Sequence, residues 1–155
     1  MHTIGESAFY ECKNLQKVIF AEDSQLRDIG KNAFQYCSNL SEVVFTNQCQ
    51  LEYFRNNNLL KNLTRVSLPK GMENIPQYAF SNGKLEEVHI PASVQSIGES
   101  AFYQCKNLQR VTFAEGSQLK EIGEWAFYNT GIAEVHIPAS VQSIGESAFE
   151  YCESL

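Results

Sequence analysis

Ile97-Gly98-Glu99-Ser100-Ala101-Phe102 is the stretch on which the fold turns, because the same six letters stand at Ile4 to Phe9 and at Ile144 to Phe149. Close variants begin at Ile29 and Ile122, and a version with Pro for Gly begins at Ile75-Pro76. With Phe54 standing in for Ile in the third unit, the anchors fall at 4, 29, 54, 75, 97, 122 and 144, with steps of 21 to 25 residues. Self-similarity at this period means that no unit can bury its own apolar face and that each must stack on its neighbours. The expected molecule is one array over residues 1–155, about six and a half units long, offering an extended surface rather than a deep pocket.

Each unit also holds Leu-x-x-Val-x-Phe or a close relative: Leu15-Val18-Phe20, Leu40-Val43-Phe45, Leu63-Val66-Leu68, Leu85-Val88-Ile90, Leu108-Val111-Phe113 and Ile132-Val135-Ile137. The Val-x-Phe part alternates with period two, as a half-buried strand does. Every unit runs the same way round the coil, so these strands are expected to form one parallel sheet. A second inner row falls three residues before each anchor, at Leu26, Leu51, Met72, Val94, Leu119 and Val141, and suggests a brief extended segment. After the anchor, Ile4, Ala8 and Cys12 are spaced i, i+4, i+8, which predicts one or two helical turns. The Gly that follows the anchor is expected to allow a tight passage out of the extended segment. Phe9, Phe34, Phe80, Phe102, Phe127 and Phe149 should stack as an aromatic spine. Unit three departs from the pattern: Phe54-Arg55-Asn56-Asn57-Asn58-Leu59 lacks both Gly and Ala-Phe, and its Asn run predicts an irregular bulge on the outer side.

Composition narrows the partners. A net charge of −6 lacks the basic footprint that nucleic acid or an anionic membrane requires. No apolar run approaches the roughly 20 residues of a membrane span. Met1 overlays an internal repeat position and Leu155 overlays the first strand residue of a further unit, so the chain reads as a piece of a longer array. Of the five cysteines, Cys12, Cys37, Cys105 and Cys152 sit three residues before the strand-opening Leu, where unit three has Leu60. A place that accepts Cys or Leu reads as core filler; a Cys12–Cys37 disulfide between neighbouring coils stays open as an alternative. No Cys-x-x-Cys cluster suggests zinc. Cys49 is out of register and is the thiol most exposed to reaction on this reading.

The combined pattern Ile-Gly-x-x-Ala-Phe-x-x-Cys-x-x-Leu-x-x-Val-x-Ile-Pro-x-x-Val resembles the BspA-type leucine-rich repeat over essentially the whole chain. The resemblance implies an α/β, right-handed leucine-rich-repeat solenoid with a parallel concave sheet, and with short helical turns and extended segments on the convex side. It further implies a cell-surface or secreted location, and adhesion to host, matrix or microbial proteins. It brings no catalytic residues, cofactor or metal. The competing reading is an intracellular interaction scaffold or assembly module.

Binding residues are expected on the strand positions that point away from the core. The third strand position carries Lys17, Glu42, Arg65, Glu87, Arg110 and Glu134, with strictly alternating sign. At about 4.8 Å per strand, each cation lies between carboxylates, either as a self-neutralising ladder or as a recognition stripe. The fifth position carries Ile19, Val44, Ser67, His89, Thr112 and His136. The two histidines are expected two units apart, roughly 10 Å, too far to share a metal ion. No nucleophile, base and acid are brought together by a motif, and no Gly-rich phosphate loop is present. Tyr78 and Trp125 share one outer position two units apart, where they either anchor a partner or fill gaps between coils. Asn39-Leu40-Ser41 and Asn62-Leu63-Thr64 match the glycosylation acceptor pattern, but each middle residue is a predicted core leucine. Coils left uncovered at either end expose apolar cross-section, which predicts end-to-end self-association.

Overall fold

The computed structural model describes residues 2–21, 24–45 and 58–155 of the chain. Eleven strands are formed among them: β1 (Thr3–Ile4), β2 (Lys17–Phe20), β3 (Asp28–Ile29), β4 (Glu42–Phe45), β5 (Arg65–Ser67), β6 (Asn74–Ile75), β7 (Glu87–Ile90), β8 (Ser96–Ile97), β9 (Arg110–Phe113), β10 (Glu121–Ile122) and β11 (Ser143–Ile144). The Leu-x-x-Val-x-Phe segments build a five-stranded parallel sheet in the order β2-β4-β5-β7-β9. Equivalent residues face one another across it: Val18 pairs with Val43, Val43 with Val66, and Val88 with Val111. One-step register between identical units puts every inward Leu, Val and Phe over its counterpart. Leu40, Val43, Phe45, Leu85, Val88, Ile90 and Leu108 are all buried as a result.

The second inner row forms as expected, with Leu26, Met72, Val94 and Leu119 buried; Leu51 lies outside the described residues. Extended pairing comes slightly later than that row, on the anchor itself. Two-residue strands pair in parallel in the order β11-β10-β8-β6, with β1 and β3 forming a separate pair. The chain reaches them through a tight turn in which the Val94 N–H donates to the Pro91 carbonyl (3.1 Å), repeated at Met72–Pro69 and Val141–Pro138.

Outside unit three, the third side of each coil is not helical. In the first unit the N–H groups of Ala8, Tyr10 and Cys12 donate three residues back, to the carbonyls of Gly5, Ser7 and Phe9. The N–H groups of Ser7, Phe9 and Glu11 leave the coil and donate to Lys31, Ala33 and Gln35 of the next one, at 2.7–3.0 Å. The same alternation recurs at Tyr78, Phe80 and Asn82, at Ser100, Phe102 and Gln104, and at Trp125, Phe127 and Asn129. Two residues per unit take left-handed backbone, Ser7 and Glu11 in the first and Ser100 and Gln104 in the fifth. This side is therefore a stack of consecutive tight turns, bonded coil to coil. Successive turns start two residues apart and the left-handed positions recur every four, so Ile, Ala and Cys come inward at the spacing that suggested helix.

The aromatic spine is present on either side of unit three. Phe9 stacks on Phe34 at 4.9 Å, and Phe80, Phe102, Phe127 and Phe149 follow one another at 5.0–5.2 Å with planes within 10°. A parallel stack joins Phe20 to Phe45 at 5.1 Å. Burying each ring is worth roughly 1.5–3 kcal/mol. The Gly after the anchor has a different role from the one expected. Its backbone is not left-handed; instead, a Cβ on Gly98 would lie 2.6 Å from the Gln77 backbone nitrogen, and one on Gly123 would lie 2.7 Å from that of Glu99. Close approach of adjacent coils requires Gly here.

Cys49 in unit two, and Phe54 with the first part of the Asn run in the irregular unit three, lie outside the described residues. Asn58–Asn62 form a short 3-10 helix, and the buried Leu60 takes the place that Cys holds in other units. The array continues through this point, because β5 pairs with β4 on one side and β7 on the other. The filler cysteines also bond: the thiols of Cys37, Cys105 and Cys152 donate to the carbonyls of Phe9, Phe80 and Phe127 in the preceding coil, at 2.9–3.1 Å. Burial pushes the Cys105 thiol up to about 12, so it stays protonated. Cys12 and Cys37 are both free thiols.

Candidate functional site

The outer face of the five-stranded sheet is where sequence and backbone separate most clearly. Its ladder holds whatever side chain points outward, so Lys17, Glu42, Arg65, Glu87 and Arg110 meet no packing constraint. Register places Lys17 against Glu42 and Glu42 against Arg65, and likewise Glu87 against Arg110. Two contacts of the expected charge ladder form: Lys17 Nζ to Glu42 Oε1 at 2.9 Å and Arg110 Nη1 to Glu87 Oε2 at 3.4 Å. Both pairs are solvent-exposed and worth roughly 0–1 kcal/mol each.

Arg65 stands between these pairs and makes no ion pair within 4.0 Å among the described residues. Its guanidinium borders an open depression of about 410 Å³ shared with Glu42, Ser67, Glu87, His89, Arg110 and Thr112. His89 sits across from Thr112 in register, and its Nδ1 is 2.9 Å from the threonine hydroxyl. The depression thus combines an uncommitted five-donor cation with an imidazole, two hydroxyls and two carboxylates. Such a surface suits hydrogen bonding to a polar partner.

Glu134 and His136 do not join this site. The sixth Leu-x-x-Val-x-Ile segment keeps its inward alternation, with Ile132 buried and Val135 half-buried, but residues 131–137 form no ladder with β9. The apolar residue that should close the strand, Ile137, is exposed, whereas Phe20, Phe45 and Ile90 at the same place are buried. Without that inward clamp, Glu134 turns to its own neighbour, with His136 Nε2 at 2.8 Å from Glu134 Oε1. The expected six-rung stripe is therefore a five-rung one. Sequence reasoning missed a further feature, a groove on the turn side between Tyr78 and Trp125, although both residues were legible as a pair. Among the described residues no three His, Cys, Asp or Glu side chains gather as metal ligands.

A sequence model of the BspA type leucine rich repeat region matches six copies, over residues 1–82 and 52–155. The chain belongs to the BspA-type leucine-rich repeat family. Among solved structures, a leucine-rich repeat protein of T. pallidum is similar over the whole chain at 28% identity and TM-score 0.69, and the chain spans 72% of it. A leucine-rich cell surface protein of Faecalibacterium prausnitzii matches the whole chain at 27% identity and TM-score 0.64; the chain spans 41% of its length. A leucine-rich repeat protein of Bacteroides ovatus, at 21% identity and TM-score 0.55, shares the fold, and the chain spans 57% of it. No protein of curated function matches. Leucine-rich repeat arrays are binding folds, in which function lies on the extended surface. No helix among the described residues is long and apolar enough to cross a membrane.

Proposed function

We propose that this chain is one uninterrupted array serving as the non-catalytic protein-binding part of a cell-surface or secreted adhesin, which engages host, matrix or microbial proteins. Its binding face is the outer side of the five-stranded sheet. The observation that carries this reading is Arg65, a guanidinium with no ion pair among the described residues, flanked by the Lys17–Glu42 and Glu87–Arg110 pairs and bordered by His89 and Thr112. A guanidinium in that setting offers bidentate bonds to a carboxylate or backbone carbonyls of an incoming protein. The resemblance to a bacterial cell surface protein supports the location.

The test begins with surface plasmon resonance against immobilised extracellular-matrix and host-surface glycoproteins. For a protein that binds, reversing Arg65→Glu, Glu87→Lys and Arg110→Glu together should weaken affinity at least about tenfold, equivalent to ~1.4 kcal/mol. The unfolding midpoint should stay unchanged. Unaltered affinity would remove the sheet face from consideration.

A further inference from the structure

The turn side carries a second surface, unrelated in chemistry to the sheet face. Tyr78 and Trp125 occupy the first left-handed position of their units, with φ of 58° and 52°. Ser7, Asn32, Ser100 and Ser147 hold that position elsewhere. Left-handed backbone disfavours bulky side chains, yet Tyr78 and Trp125 stand there partly buried, 50% and 37% exposed. The Tyr78 hydroxyl reaches Glu99 of the next coil, and both rings border an open groove on the turn side.

Between them Ser100 is small and buried, which leaves a gap in the ridge. Tyr103 and Tyr128, stacked at 4.9 Å, run alongside. The resulting groove measures about 540 Å³, and Asn82 and Glu150 add polar groups to its lining. Coils repeat at about 5 Å, so Tyr78 and Trp125 stand two steps, roughly 10 Å, apart along the array. A polyproline II helix rises about 3.1 Å per residue with three residues per turn, close to 9 Å for each turn. Every third side chain of such a helix would fall first on one aromatic and then on the other.

We propose that this groove binds a proline-rich segment in the polyproline II conformation, lying along the axis of the array, with prolines three residues apart seated on Tyr78 and Trp125. Aromatic-lined grooves suit this ligand because its preformed backbone loses little entropy on binding. Its carbonyls have no internal partners, and the phenols of Tyr103 and Tyr128 with the Asn82 amide supply donors. The surrounding charge is negative: Glu99 accepts a 2.7 Å bond from the Tyr78 hydroxyl, with Glu124 near the same phenol and Glu150 near that of Tyr128. Basic residues beside the prolines therefore complement the groove.

Trp125 is the chain's single tryptophan, so its emission reports on this groove alone. The probe is a synthetic peptide of two arginines followed by a run of prolines. The control replaces the prolines with alternating Gly and Ser at the same charge. The proline peptide should give a saturable change in emission, at least about tenfold tighter than the control. Tyr78→Ser should weaken it about tenfold, a hot-spot-sized loss, with the unfolding midpoint held, since Ser serves at this position in other units. The proposal is overturned by any of three results: no saturable change, an equal response to the Gly-Ser peptide, or unaltered affinity in Tyr78→Ser. Saturation by tetramethylammonium at the same concentrations would also overturn it, in favour of a small-cation cage.

Discussion

The sheet side and the turn side of this array are made by the same coils, yet they hold those coils together differently. On the sheet side a parallel ladder of backbone bonds joins β2, β4, β5, β7 and β9, and it is indifferent to what points outward. Lys, Glu, Arg, Ile, Ser, His and Thr all occupy its outer positions. On the turn side the coil-to-coil bonds run from Ser7, Phe9 and Glu11, and from their equivalents in the later described units, to the next unit, and they go with left-handed backbone twice per coil. Gly30, Gly98, Gly123 and Gly145 are needed as well, because the neighbouring backbone fills the space a side chain would take. Variation on the sheet face is therefore free to serve recognition, while variation on the turn side costs stability. Tyr78 and Trp125 stand out on that constrained side because they border one groove, whereas the charged residues lie on the permissive sheet.

Three measurements break or sharpen this contrast. The largest effect belongs to the aromatic spine. Phe102 is fully buried between Phe80 and Phe127, so Phe102→Ala should cost about 3–5 kcal/mol in urea unfolding. Phe9, 38% exposed and stacked on one side only, should lose less than half as much; equal losses would show that stacking is not the source. Next comes the glycine row. Gly98→Ala forces a Cβ against the backbone of the preceding coil and should cost about 1–3 kcal/mol. Gly5 has nothing within 4 Å of the same position, so Gly5→Ala should be neutral or stabilising by up to about 1 kcal/mol. Similar losses at both sites would refute close coil approach as the reason for Gly. The smallest effect is on the sheet face, where Lys17→Ala should change stability by no more than about 1 kcal/mol, with the difference vanishing in high salt. A larger, salt-resistant loss would mean that the outer face is structural after all.

Much of the architecture is legible in the letters. The anchors, the inward Leu-Val-Phe rows, the phenylalanine stack and the cysteine filler all follow from aligning near-identical units, because identical side chains one coil apart lie over one another. The candidate site was half legible. Alternation of sign placed Lys17, Glu42, Arg65, Glu87 and Arg110 on one face, but nothing in the spacing told which carboxylate each cation would choose. Glu134 and His136 fit the same pattern and still fall outside the ladder, since an edge segment with an exposed Ile137 has no clamp to hold it there.

What the chain's letters determined alone is the repeat, its period, its inward rows and the parallel direction of its strands, all consequences of one unit copied in tandem. Three things were left to the tertiary structure: turns in place of helix, the want of an ion pair at Arg65 among the described residues, and the groove between Tyr78 and Trp125. The physical reason is common to all three. Each depends on where a neighbouring coil puts its carbonyls, carboxylates and rings, and a periodicity of four along one coil is the same whether its N–H groups bond within that coil or across to the next.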